Sequence, residues 1–167
     1  MNKGINYLST RGGESSLQYE DVLLSGLARD GGLFMPEEWP NFSHSELIEM
    51  KKLSYSELAA TIMTPFIQPS LNYNEVLKIC NEIYSKFTND EVAPLKKMED
   101  NLFVLELFHG PTLAFKDYAM QFLSKAFNVA LTKNKKRAVI LGATSGDTGS
   151  AALEAFKGKD NVDIFIL

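Results

Sequence analysis

A short apolar run, Ala138-Val139-Ile140-Leu141, leads into a loop of small residues from Gly142 to Ser150, then a helical stretch around Ala151 to Phe156, then Val162 to Leu167. An apolar run of this length that meets a glycine suits a buried parallel strand. Strand, turn, helix and strand in that order make a βαβ unit. A parallel pair restricts the fold strongly, because it expects neighbours on both sides and helices on both faces. Two such strands at the end of the chain therefore read as the opening of a larger α/β domain, truncated before its sheet is complete.

Upstream the grammar is different. From about residue 19 to 87 the apolar spacing is almost wholly helical. Tyr19, Val22, Leu23 and Leu27 share one helix face, which Asp30-Gly31-Gly32 is expected to end. Ser43 with Glu46, and Ser54 with Glu57, have the spacing of capping boxes, so two helices should start there. Leu58, Ala59, Ile62 and Phe66 form one apolar stripe, and Val76, Leu77, Cys80, Ile83, Tyr84 and Phe87 another. Pro65 and Pro69 should separate these two helices. After about residue 92, Leu95 to Met98 and Leu102 to Leu107 flank Glu99-Asp100-Asn101 as a hairpin. A helix carrying Phe115, Ala119, Phe122, Leu123, Ala126 and Ala130 follows. The expected division is 1–92, mostly helical, and 93–167, the start of an α/β domain.

Composition excludes several classes. With 17 Lys and Arg against 21 Asp and Glu, the net charge of -4 argues against a general nucleic-acid binder, which needs a cationic surface. Met1-Asn2-Lys3-Gly4-Ile5-Asn6-Tyr7 lacks the apolar stretch of a secretory signal, and the longest apolar runs are too short to span a membrane. A soluble, cytoplasmic protein is the expectation. Cys80 is the sole cysteine, so no internal disulfide forms, and with two histidines no zinc site is expected. Cys80 is read as sitting quietly on a buried helix face.

Two segments carry chemistry. In Phe108-His109-Gly110-Pro111-Thr112-Leu113-Ala114-Phe115-Lys116-Asp117, a lysine stands at the start of an apolar helix. Partial desolvation and the positive end of the helix dipole both disfavour an ammonium, which would make Lys116 a nucleophile toward aldehydes and a base. The alternative is a lysine that reaches solvent or pairs with Asp117. His109 reads as a hydrogen-bonded turn residue. In Gly142 to Ser150, small residues let the backbone approach a ligand, and free amides at a helix start can bind a carboxylate or phosphate. The segment is neither a Walker loop nor a dinucleotide fingerprint. The alternative is a tight turn capped by Asp147 or Thr148.

The string LELFHGPTLAFKD, residues 105 to 117, followed by ATSGDTG, residues 143 to 149, resembles the lysine motif and substrate loop of the threonine synthase family. Ser9-Thr10-Arg11-Gly12 and the segment Gly26 to Pro36, GLARDGGLFMP, are similar to that family's N-terminal domain. The resemblance runs through nearly the whole chain. It implies fold type II of the pyridoxal-phosphate (PLP) enzymes, with Lys116 binding PLP as a Schiff base and then acting as the proton shuttle. The reaction implied is conversion of O-phospho-L-homoserine and water to L-threonine and phosphate, a phospholyase-type chemistry.

By the same resemblance Thr144, Ser145, Gly146, Thr148 and Gly149 would receive the substrate carboxylate. Many relatives carry asparagine where this chain has Asp147, placed near the cofactor's phenolic oxygen; an ionised aspartate would repel a phenolate, and its role stays open. Arg11 could meet substrate phosphate or carboxylate, or form a surface ion pair. Lys133, Lys135, Lys136 and Arg137 read as a solvated cluster at a helix end. The family's second glycine-rich loop, of the Ser-Gly-Asn-Phe-Gly type, which holds the PLP phosphate, does not occur in these 167 residues. The chain alone is therefore expected to bind PLP poorly and to lack significant activity. The rivals are another fold type II enzyme (cysteine synthase, dehydratase or a related phospholyase) and a non-catalytic anion-binding module. Oligomeric state is not legible.

Overall fold

The computed structural model describes residues 4–167; Met1, Asn2 and Lys3, part of the segment read above for a signal, lie outside the described residues. The chain divides into two compact units, one reaching to Cys80 and one from Asn81 to Leu167.

The first unit holds two short antiparallel strands, β1 (Tyr7–Ser9) and β2 (Phe34–Pro36), with Tyr7 opposite Pro36 and Ser9 opposite Phe34. A three-residue strand shows no period, so β2 is a departure from the helical reading of this stretch. Helix α1 covers Tyr19–Ser25 and ends earlier than expected, because Gly26 takes a φ of 73° there. Leu27 consequently lies outside the helix and is exposed.

Asp30-Gly31-Gly32 does different work. The Asp30 carboxylate accepts from the Ser9 hydroxyl at 2.7 Å and from the amides of Gly13 and Gly32, each at 2.8 Å. These donors, the Ser9 hydroxyl foremost, hold the Asp30 carboxyl below the ordinary carboxylate range. The Arg11 guanidinium donates to the Asp30 carbonyl at 3.1 Å, and Arg11 itself is exposed. The Ser-Thr-Arg and Arg-Asp-Gly-Gly segments thus form one hydrogen-bonded corner.

Both expected capping boxes are present. Helix α2 (His44–Met50) starts at Ser43, whose amide donates to Glu46 at 2.7 Å. Helix α3 (Tyr55–Ile67) starts at Ser54, whose amide donates to Glu57 at 2.9 Å. α3 continues through Pro65 rather than stopping before it. Pro65 falls in the last turn, where its missing amide removes a single ladder bond, and the chain leaves the helix at Gln68. Tyr7 ties β1 to α3 by donating its hydroxyl to the Phe66 carbonyl at 2.8 Å. Helix α4 (Tyr73–Tyr84) carries the fully buried Val76, Cys80 and Ile83, as its stripe requires.

The second unit begins within α4. Phe87 stacks edge-on with Tyr84 at 5.5 Å and with Tyr118 at 4.8 Å. The hairpin is present as β3 (Leu95–Glu99) and β4 (Leu102–Leu105), with a bulge between Lys97 and Glu99. Helix α5 (Asp117–Lys133) precedes β5 (Ala138–Gly142), α6 (Asp147–Phe156) and β6 (Val162–Ile166). β5 and β6 pair in parallel, Ala138 opposite Val162 and Gly142 opposite Ile166, so the βαβ unit stands.

α6 packs on β6, and the sheet face carrying Ile140, Val162, Ile164 and Ile166 is covered or partly covered. The other face is not: Val139, Leu141 and Phe165 are 66%, 73% and 58% exposed. Within the described residues the strand pair is therefore covered on one face only.

Candidate active site

The segment before α5 is folded around one carboxylate. Asp117, the first residue of α5, is completely buried. It accepts from the Thr112 amide at 2.8 Å, the Thr112 hydroxyl at 2.7 Å and the Ala114 amide at 3.4 Å. These bonds pull Gly110 to Ala114 into a compact turn in which Leu113 adopts a φ of 62°. Gly110 is required there, since a Cβ on it would stand 2.4 Å from the Asp117 Cβ. The upstream residue His109 is a hydrogen-bonded turn residue, as read. Its Nε2 lies 2.8 Å from Glu106, and its carbonyl accepts from the Thr88 amide at 2.9 Å.

This turn decides the environment of Lys116. The lysine occupies the N-cap of α5 with φ -65° and ψ -20°, at the positive end of that helix's dipole. Its neighbour Asp117 faces inward and is saturated by Thr112 and Ala114, so the Lys116–Asp117 pair considered above does not form. The half-buried Lys116 amine lies 4.3 Å from the Phe115 ring centroid and has no carboxylate partner among the described residues. Asp117 and Thr112 escaped the sequence reading. The signal that could have exposed them is a Gly-Pro-Thr turn just ahead of an aspartate in a first helical turn, where side-chain oxygens commonly close on local amides.

The second loop joins β5 to α6. Thr144 extends the ladder by donating its amide to the Leu167 carbonyl at 3.1 Å, and its hydroxyl accepts from the Gly146 amide at 3.4 Å. α6 starts at Gly146 with no side-chain cap, so neither Asp147 nor Thr148 caps the turn. Ser145, Gly146 and Asp147 are exposed, and Thr148 is half-buried. Gly149 is buried and its amide donates to the Gly146 carbonyl at 3.0 Å. Its contribution is close packing, because a Cβ would meet the Thr144 Cγ2 at 2.8 Å and the Ile166 Cγ2 at 3.0 Å. An uncapped helix start with exposed small residues around it is a ready anion site.

Topology directs both segments to one edge. α5 and α6 pack together, with Phe127 edge-on to Phe156, the last residue of α6, at 6.2 Å. Near the end of α5 the Thr132 hydroxyl accepts from Asn161 at 2.8 Å, and the Asn161 carbonyl accepts from the first residue of β5, Ala138. The helix ends therefore gather at the amino-terminal edge of the strands. Their starts, Lys116 and Gly146, are directed toward the carboxyl edge, where open α/β sheets bind ligands.

Residues 6–96 match the family described as threonine synthase N terminus. The threonine synthase of Pseudomonas aeruginosa is 52% identical over 98% of this chain and 35% of its own length. That of Schizosaccharomyces pombe is 43% identical over 100% of this chain and 34% of its own. A crystal structure of PLP-bound threonine synthase from Brucella melitensis superposes with a TM-score of 0.94 at 48% identity, covering 98% of this chain and 35% of that one. The yeast enzyme's structure gives 0.91 at 39% identity over 99% and 36%. The chain thus spans about a third of the length of these relatives. With the family match covering more than half of its residues and agreement in sequence and structure along nearly all the rest, the chain belongs to the threonine synthase family.

Proposed function

We propose that this chain forms the N-terminal third of a cytoplasmic threonine synthase that converts O-phospho-L-homoserine and water to L-threonine and phosphate. In this reading residues 1–92 are the N-terminal domain, and 93–167 open a catalytic domain of fold type II. The observation that carries it is the state of Lys116: an amine at a helix start whose neighbouring carboxylate, Asp117, is buried and fully engaged elsewhere.

The residues present fit PLP. Lys116 would hold the cofactor covalently, because its amine is not committed to an ion pair, and PLP when bound supplies a sink for the electrons left as protons depart from the substrate. The Asp117–Thr112 clamp fixes the backbone that carries Lys116, so the amine returns to one place and can carry a proton to and from the substrate carbons. The uncapped start of α6, with Thr144, Ser145, Gly146 and Thr148 around it, offers amides and hydroxyls to the substrate carboxylate, and Gly149 lets α6 approach β6 closely enough to aim them. Asp147, exposed in the first turn of α6, lies beside this group.

Proteins described as threonine synthase-like 2 from Xenopus laevis and Homo sapiens are 38% and 40% identical to this chain, so a related phospholyase is the second reading. Assaying the full-length protein with phosphohomoserine, O-acetylserine and threonine separates them. Stoichiometric threonine and phosphate from phosphohomoserine support the synthase. Phosphate without threonine supports the phospholyase, and turnover of O-acetylserine or threonine alone contradicts both. The 167-residue chain by itself is expected to show no significant phosphate release.

A further inference from the structure

The turn that carries Lys116 closes at a neck. Gly110 and Asp117 form it, packed so tightly that a Cβ on Gly110 would stand 2.4 Å from the Asp117 Cβ, and Lys116 lies next to Asp117 on the inner side. A shift of the neck therefore shifts the lysine.

The residues immediately outside the neck, His109 and Tyr118, are tied to the same two places. His109 bonds through Nε2 to the Glu106 carboxylate at 2.8 Å, its Nδ1 lies 3.4 Å from the Thr88 hydroxyl, and its carbonyl accepts from the Thr88 amide at 2.9 Å. On the other side the Tyr118 hydroxyl donates to the Val92 carbonyl at 2.6 Å and lies 3.5 Å from the Glu106 carbonyl. The segment from Thr88 to Val92 and the residue Glu106 thus grip both sides of the neck, Glu106 with its side chain on one and its carbonyl on the other. Glu106 is itself anchored, since its amide donates to the Pro94 carbonyl at 3.0 Å beside the first pair of the hairpin.

The His109–Glu106 pair is sheltered, the two side chains being 15% and 22% exposed. A carboxylate oxygen only accepts, so Nε2 carries the hydrogen, and a charge-assisted bond away from bulk water is strong and directional. The turn needs such a restraint, because Leu113 within it holds a φ of 62°, which persists only where the surroundings over-determine it. The Asp117–Thr112 bonds act inside the turn, whereas the His109 and Tyr118 bonds fix it against the rest of the second unit.

We propose that Glu106 and His109 are positioning residues for Lys116: their carboxylate–imidazole bond holds the neck, so the amine meets the cofactor, and then the substrate, from one direction. This rests on Lys116 being the cofactor lysine.

The test has two arms. In the 167-residue protein, amide hydrogen exchange followed by NMR should show Thr112 and Ala114 exchanging about tenfold faster in H109A and in E106A, with α5 from Gln121 onward unchanged. H109Q, which keeps an N–H donor for Glu106, should restore the protection. In the full-length protein stripped of cofactor, H109A should capture added PLP covalently about tenfold more slowly, and with cofactor restored it should lower kcat while leaving KM for phosphohomoserine within about twofold. Exchange that rises uniformly along α5, H109Q no better than H109A, or an unchanged capture rate would overturn the proposal. If borohydride fixes the cofactor to Lys116 while these variants behave as the parent, the positioning role alone fails; if the cofactor maps to another lysine, the assignment of Lys116 fails and the positioning role with it.

Discussion

Thr112 closes on Asp117 through two hydrogen bonds, amide to Oδ2 at 2.8 Å and hydroxyl to Oδ1 at 2.7 Å, and this pair holds the backbone immediately before Lys116. Replacing Asp117 by alanine leaves the half-buried Thr112 amide and hydroxyl without their acceptor. Each orphaned buried donor costs about 1–3 kcal/mol, so D117A should lower stability by about 3 kcal/mol in urea unfolding. D117A as stable as the parent would mean that the turn does not depend on this clamp.

Gly149 faces a steric limit rather than a conformational one. A methyl group there would stand 2.8 Å from Thr144 and 3.0 Å from Ile166, so α6 must move off β6 to admit it. Alanine's better helix propensity returns about 1 kcal/mol, whereas overpacking costs about 1–3 kcal/mol. G149A is expected to be destabilised by about 1 kcal/mol net in chemical denaturation, with amide shifts spreading from Thr144 to Ile166.

The capping box at α3 predicts a pH dependence. The Ser54 hydroxyl, and then its amide, hold the Glu57 carboxyl below its ordinary value of 4.5. A depressed folded-state pKa contributes stability above the unfolded value, which is lost as pH falls through the folded one. Stability should therefore decline below about pH 4.5 more steeply in the parent than in S54A. At neutral pH S54A should itself lose about 1 kcal/mol. Parallel pH profiles for the two proteins would contradict the assignment.

Cys80 is fully buried on α4, and burial pushes its thiol up to about 11. At pH 8 it should resist a thiol reagent such as dithionitrobenzoate while the chain is folded and react at once in denaturant. Rapid stoichiometric reaction of the folded protein would show that this face of α4 opens.

What could be read from the chain was what repeats or caps. Val76, Cys80 and Ile83 recur at helical spacing, and Ser54 with Glu57 is a local pair, so α4 and the start of α3 were visible. β1 and β2 were not, because three residues carry no period and their pairing joins Tyr7 to Pro36 across the intervening helix. The early end of α1 at Gly26 and the persistence of α3 through Pro65 turn on single backbone positions whose tolerance depends on their place in a turn. At the candidate site the string containing Lys116 was conspicuous, but the inward rotation of Asp117 was not. Adjacent opposite charges invite an ion pair on paper, and only the fold shows Thr112 competing for that carboxylate. Burial of β5 and β6 on one face follows α6 on β6; the alternation of Val139 and Leu141 with Ile140 appears only when the strand is seen in its sheet.

The most direct measurement is borohydride reduction of the full-length protein purified with its cofactor, followed by peptide mapping. A yellow protein whose reduced pyridoxyl group maps to Lys116, and a K116A protein that retains none covalently, is the predicted result. Covalent reduced cofactor on K116A, or its appearance at another lysine of the parent with Lys116 unmodified, would contradict the central claim.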